Sequence, residues 1–160
     1  MKIRARHQFR KSQTKDMIRQ IGQILTNADS ILEKKKLELA ITDEHELLLV
    51  DGEPLFFITD GEPFFTVRGA LQLKPDKRVV TVDAGAIAFV VKGADVMKPG
   101  IVSADTRIKE GDFVIVTEET HGKPLAVGRA LVNGDQMTGG SGKAIKTMHI
   151  VGDKLWNFQT

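Results

Sequence analysis

The run Gly139-Gly140-Ser141-Gly142-Lys143 comes closest to a chemical device, because glycines ahead of a lysine can wrap a phosphate in main-chain amides. A phosphate-binding loop, however, has two glycines framing four residues and a hydroxyl residue after the lysine, and here Met137 and Ala144 stand at the two outer positions. The glycines also lie late in a β-rich region with no βαβ unit, so they make no dinucleotide fingerprint. The run reads as a loop between strands. His7, His45, His121 and His149 are scattered, and none has a second histidine three to five residues away to form a zinc pair. Asp43-Glu44 and Glu118-Glu119 fall in turn-like segments and read as solvated surface, not as an acid/base couple. Ser103 and Ser141 lack a strand-turn-helix setting, and there is no cysteine to act as nucleophile. The residues thus point away from an enzyme and call for no cofactor and no metal.

The elements that would position any site must come from a chain of 160 residues with 41% hydrophobic and 28% charged content, a globular balance. The absence of cysteine excludes disulfides and fits a reducing compartment. The basic start, MKIRARHQFRKSQ, is followed by no signal-like apolar run, and no stretch approaches a membrane span, so a cytoplasmic protein without a membrane partner is expected. Charge is unevenly distributed. Residues 1–36 carry ten Lys/Arg against three Asp/Glu, and residues 37–76 carry two against nine. The simpler reading is that the two blocks face each other within one domain. The functional reading is a nucleic-acid-facing surface made by Arg4, Arg6, His7, Arg10 and Lys11.

Met17, Ile18, Ile21, Ile24 and Leu25 recur at helical spacing, predicting a core-facing helix over about residues 13–25. Leu37, Leu39 and Ile41 alternate as a strand. Asp51-Gly52 and Asp60-Gly61 are hairpin turns separating strands at 46–50, 55–58 and 64–67. Leu73 to Lys77 interrupts the pattern with Pro75, predicting an α+β domain over 1–75 and a second domain over 76–160. In the second, Val79 to Val82 is a strand, a short helix follows through Ile87, Phe89 and Val90, and Gly93 ends it. Pro99 inside Val96 to Val102 places that strand at an edge or a bulge. Strands at 113–117, 125–132 and 143–150 complete a small barrel.

Five separate motifs occur in order across the second half: Val79-Val80-Thr81-Val82-Asp83 with Gly85-Ala86; Gly93-Ala94-Asp95-Val96-Met97 with Pro99-Gly100-Ile101-Val102; Gly111-Asp112; Ala126-Val127-Gly128-Arg129-Ala130; and His149 to Trp156. This block resembles a PUA domain. In the first half, Val50-Asp51-Gly52-Glu53-Pro54-Leu55-Phe56-Phe57 and Pro63-Phe64 resemble the pre-PUA domain of the malignant T-cell amplified sequence family. The resemblance implies an α+β pre-PUA domain followed by a mainly-β PUA pseudo-barrel of six strands.

It also implies a non-catalytic RNA-binding protein of translation, acting at the small ribosomal subunit or on tRNA. Structured rRNA or tRNA and the small ribosomal subunit are the implied partners, with a density-regulated type of protein on the first domain. Eukaryotic relatives usually carry cysteines in that domain, so the protein-binding surface of this cysteine-free chain is expected to differ. The alternative is an RNA-binding accessory subunit of a pseudouridine or archaeosine type modification enzyme. The implied RNA-binding residues are Asp83, Gly85, Ala86, Phe89, Lys92, Met97, Lys98, Pro99, Gly100, Ile101, Val102, Lys143, Lys146 and His149. Gly85 and Gly100 would let phosphate or ribose approach the backbone, and the lysines would supply charge. A phenylalanine on a helix facing a barrel belongs more often to the core, so Phe89 is expected mainly to pack, and Trp156 likewise.

Overall fold

A computed structural model describes residues 1–160. The chain divides into two compact units, Met1–Asp76 together with Asn157–Thr160, and Lys77–Trp156.

The first unit is α+β. Its strands are β1 (Ile3–Gln8), β2 (Leu37–Thr42), β3 (Glu46–Val50), β4 (Glu53–Thr59) and β5 (Glu62–Phe65), paired in chain order as one antiparallel sheet. Its helices are α1 (Lys11–Ile21), α2 (Ala28–Leu32) and α3 (Val67–Leu73). The hairpins turn where expected. Asp51 and Gly52 have φ of 50° and 85°, and Asp60 and Gly61 have 52° and 79°, the left-handed pairs that tight hairpins need. Helix α1 ends four residues short of the apolar pattern, and Ile24 and Leu25 reach the core from the turns beyond it.

One strand was illegible. The basic N-terminus forms β1, which lies at the sheet edge and pairs only with β2. Arg4 to Gln8 are exposed on both faces, so the strand has no apolar alternation to read, and β2 supplies the backbone partners that make it a strand. The opposite charge blocks do meet here: Arg6 holds the buried carboxylate of Glu38 through Nε and Nη2 at 3.0 and 3.1 Å. Helix α3 packs against β4 so closely that a Cβ on Gly69 would sit 1.9 Å from the Leu55 carbonyl oxygen. Thr66 caps that helix, accepting from Gly69 N–H at 3.0 Å and donating to Pro54 O at 2.8 Å.

The second unit contains β6 (Val79–Val82), α4 (Ala84–Val90), β7 (Val96–Met97), β8 (Ile101–Ala104), β9 (Phe113–Glu118), β10 (Pro124–Ala130) and β11 (Lys143–Ile150). The sheet order is β7-β11-β10-β9-β6-β8, with β6 and β9 parallel. Strands β7 and β8 therefore occupy opposite edges, yet only the 3-10 turn Lys98–Gly100 joins them. A connection that short forces the sheet to curl until its edges meet, and the result is a six-stranded pseudo-barrel. Pro99 sits in this seam, where its missing amide breaks no ladder bond. Val80, Val82, Val96, Ile101, Val114, Val116, Ala126 and Ile145 fill the interior. Gly139, Gly140 and Gly142 all have positive φ in the loop before β11, as a strand connection would.

Candidate nucleic-acid interface

The seam of the barrel is stitched by backbone. Lys98 N–H donates to Gly142 O and Asp83 N–H donates to Gly100 O, each at 2.9 Å, tying the turn to the loop before β11 on one side and to the end of β6 on the other. Asp83 then starts α4, its Oδ1 accepting from Ala86 N–H at 3.0 Å. Gly93, at φ 91°, ends the helix, with Gly93 N–H and Ala94 N–H donating to Val90 O and Phe89 O. A seven-residue helix so held has one side for the barrel and one for solvent. Val90 goes inward, and Phe89, 67% exposed, goes outward. The expectation that Phe89 packs is corrected, because the short helix turns it to the open side.

Between α4 and the turn runs a groove of about 380 Å³ lined by Asp83, Gly85, Ala86, Phe89, Val90, Asp95, Val96, Met97, Pro99 and Gly100. Its lining is mostly apolar, with Phe89 and the 46%-exposed Met97 both within it. Gly100 is there for closeness: a Cβ would lie 3.1 Å from the Ala86 Cβ. Neither Gly85 nor Gly100 has positive φ, so turn geometry does not require them.

The charges sit differently from the sequence reading. No lysine lines the groove, and its two ionisable residues are the carboxylates Asp83 and Asp95. Asp95 accepts from Thr147 N–H at 3.1 Å and pairs with Lys143 Nζ at 3.2 Å. The Lys143 hydrogen bond, aided by the Thr147 amide, holds its carboxyl below the usual carboxylate range. Lys143, although exposed, thus has Asp95 as its ion-pair partner. Lys92 and Lys146 are exposed and Lys98 is half-buried, none of them lining the groove. The groove thus offers a mostly apolar surface with two carboxylates, and the expected lysines lie outside its lining.

Two residues expected at the RNA are buried. Ile101 is buried in the barrel core because β8 turns it inward, whereas Val102 beside it is exposed. His149 is 6% exposed, and its Nδ1 lies 2.8 Å from Asp153 Oδ2. Glu118 also departs from the surface reading. It is buried, accepting from Thr120, His121 and Lys123 amides at 2.7–3.2 Å, and the Lys123 amide foremost holds its carboxyl low. Its neighbour Glu119 accepts from Ala84 N–H at 3.3 Å, at the start of α4. Sequence reasoning passed over Asp95 as an organiser of the site, although it stands inside the Gly-Ala-Asp-Val motif.

Residues 78–151 match the PUA domain family model. An uncharacterized protein of Methanocaldococcus jannaschii is 48% identical over 99% of both chains. Translation machinery-associated protein 20 of Saccharomyces cerevisiae is 30% identical, covering 89% of this chain and 83% of the relative. Malignant T-cell-amplified sequence 1 of Danio rerio is 30% identical, covering 79% and 74%. A crystal structure of a hypothetical protein from Pyrococcus horikoshii OT3 superposes with TM-score 0.87 at 38% identity, covering 98% of this chain and 100% of that one.

Proposed function

Because the chain belongs to the family of translation machinery-associated protein 20 and malignant T-cell-amplified sequence 1, and carries its PUA domain, we propose that it is a non-catalytic RNA-binding factor of translation acting at the small ribosomal subunit. The groove beside α4 takes one unpaired base of a structured RNA. The first unit serves as the pre-PUA domain.

The observation that carries this reading is the exposed ring of Phe89 beside an apolar groove. A large apolar side chain left in water at that position gains most when an aromatic base lies on it. Asp83 and Asp95 at the groove are acceptors, so they favour a base with an exocyclic amino group over uracil. The sugar-phosphate chain on either side of the base meets Lys92, Lys98 and Lys146. This arrangement reads single-stranded or splayed nucleotides and leaves duplex RNA unread.

An anisotropy titration with an RNA hairpin bearing a single-stranded tail tests the site. Stacking of a base on an aromatic ring is worth about 1–3 kcal/mol, so Phe89→Ala is expected to weaken binding about five- to a hundredfold, with little effect on a blunt hairpin. Equal affinity of variant and wild type for the tailed RNA would remove the groove as the site. Co-sedimentation with purified small ribosomal subunits at low salt is the test of the translation role, and failure to associate would refute it.

A further inference from the structure

We propose that the first unit carries a second RNA contact, a cationic ridge formed by Arg10 and the first turns of α1, which holds sugar-phosphate backbone independently of the groove beside α4. Between residues 2 and 15 there are six Lys/Arg and no Asp/Glu. Pairing divides them. Arg6 is locked onto Glu38, and Arg4 lies near enough to Asp43 to help hold that carboxyl low, after the hydrogen bond from Lys2 N–H. Arg10, Lys11 and Lys15 are exposed and form no salt bridge, whereas Arg19, Lys35 and Lys36 each have one.

Edge protection explains only part of this pattern. Charged residues on an edge strand discourage pairing with another chain, and that suffices for Arg4 and Arg6. It does not explain Arg10, Lys11 and Lys15, which lie beyond β1. Helix α1 has no acid in its first turn, so Arg10 and Lys11 stand at the end where the helix is already positive, with Lys15 one turn on. Asp29 and Glu33 line one groove with Lys11 and Lys15 but form no salt bridge with them, which leaves these cations open to a polyanion.

The ridge also borders open space. Lys11 and Lys15, four residues apart on α1, line one wall of a groove of about 760 Å³ with Gln8, Phe9 and Thr14. Lys35 stands in the same groove, and Asp29 of α2 and Glu33 just past its end line it as well. Those carboxylates repel phosphate, so the RNA chain follows the Arg10, Lys11 and Lys15 side. Thr14 Oγ1 is spent on the Arg10 carbonyl at 3.1 Å, which leaves charge, not hydroxyl recognition, as the means of holding. The contact is therefore blind to sequence.

The test uses the full chain and the tailed RNA hairpin, titrated across salt. For Lys11→Gln with Lys15→Gln, affinity at low salt is expected to fall several-fold, and the slope of log Kd against log salt to decrease by about 1.5, near 0.7–0.9 for each phosphate no longer neutralised. The thermal midpoint is expected to hold or rise, since cations leave the positive end of a helix. Phe89→Ala should weaken the same RNA with the slope retained, so failure at either site shows separately. An unchanged slope in the folded double variant overturns the proposal, as would binding of an acidic protein segment at the ridge in place of RNA. Ultraviolet crosslinking of the wild type gives a check free of folding effects: adducts on the peptide spanning residues 8–15 are expected, and adducts confined to residues 84–100 overturn it.

Discussion

Asp153 shows how one carboxylate organises the end of the barrel. It accepts from Ile150 N–H and Trp156 N–H at 2.9 Å each and sits 2.8 Å from His149 Nδ1. Burial opposes its ionisation, yet the hydrogen bonds from His149, Trp156 and Ile150 outweigh that and lower it to about 2. A carboxyl depressed in the folded state stabilises fully above its ordinary value, near 4, and loses that contribution as pH falls through about 2. Asp153→Asn should therefore cost on the order of 1–2 kcal/mol near neutral pH, allowing for its partial exposure. Urea titrations of both proteins should show that difference shrinking between pH 4 and 2. A constant difference across that range would contradict the assignment. Phe89 is the opposite kind of residue: its loss should leave stability within about 0.5 kcal/mol, as for other exposed side chains, and act on RNA alone.

At the level of elements, close approach decides which glycines matter. Gly69 brings α3 onto β4, and a methyl group there collides with main chain that cannot swing aside. Gly69→Ala is expected to destabilise by about 1–3 kcal/mol or more, read as a lower denaturation midpoint. Gly61 is the control, because nothing lies within 4 Å of its Cβ position and only its φ of 79° penalises alanine. A smaller loss, about 1 kcal/mol, is expected there. Equal losses would show that contact with Leu55 is not what α3 needs. In the barrel, Gly128 does the same for β10 and β11, its Cβ position lying 2.4 Å from Lys146 O.

For the whole molecule, the two proposed contacts predict how affinity scales with RNA length. An oligonucleotide of a few residues should fill only the groove beside α4 and be indifferent to Lys11→Gln with Lys15→Gln. An RNA long enough to reach both should bind more tightly than either contact explains, because the second engagement becomes intramolecular. A length series by anisotropy, with each variant, measures this directly. Absence of any length at which the double variant loses affinity would leave the groove as the sole contact.

Composition, periodicity and turn chemistry determined much of this protein in advance. The Asp-Gly hairpins, the core helix and the β-branched strands are local signals, set by backbone preference within a few residues, and the ordered motifs of the second half carried the PUA fold. What escaped was decided by neighbours far along the chain. Arg6 became part of a strand because β2 offered it hydrogen bonds and Glu38 a counter-charge. Phe89 faced outward and His149 inward because a seven-residue helix and an eight-residue strand have two sides, and only closure of the sheet through Lys98–Gly100 says which side is the interior. Lys143 gained a counter-charge because the pairing of β7 with β11 brings it beside Asp95. Residue type sets what a side chain can do; burial and charge partners, which arise only when distant segments pack, settle which of those things it does.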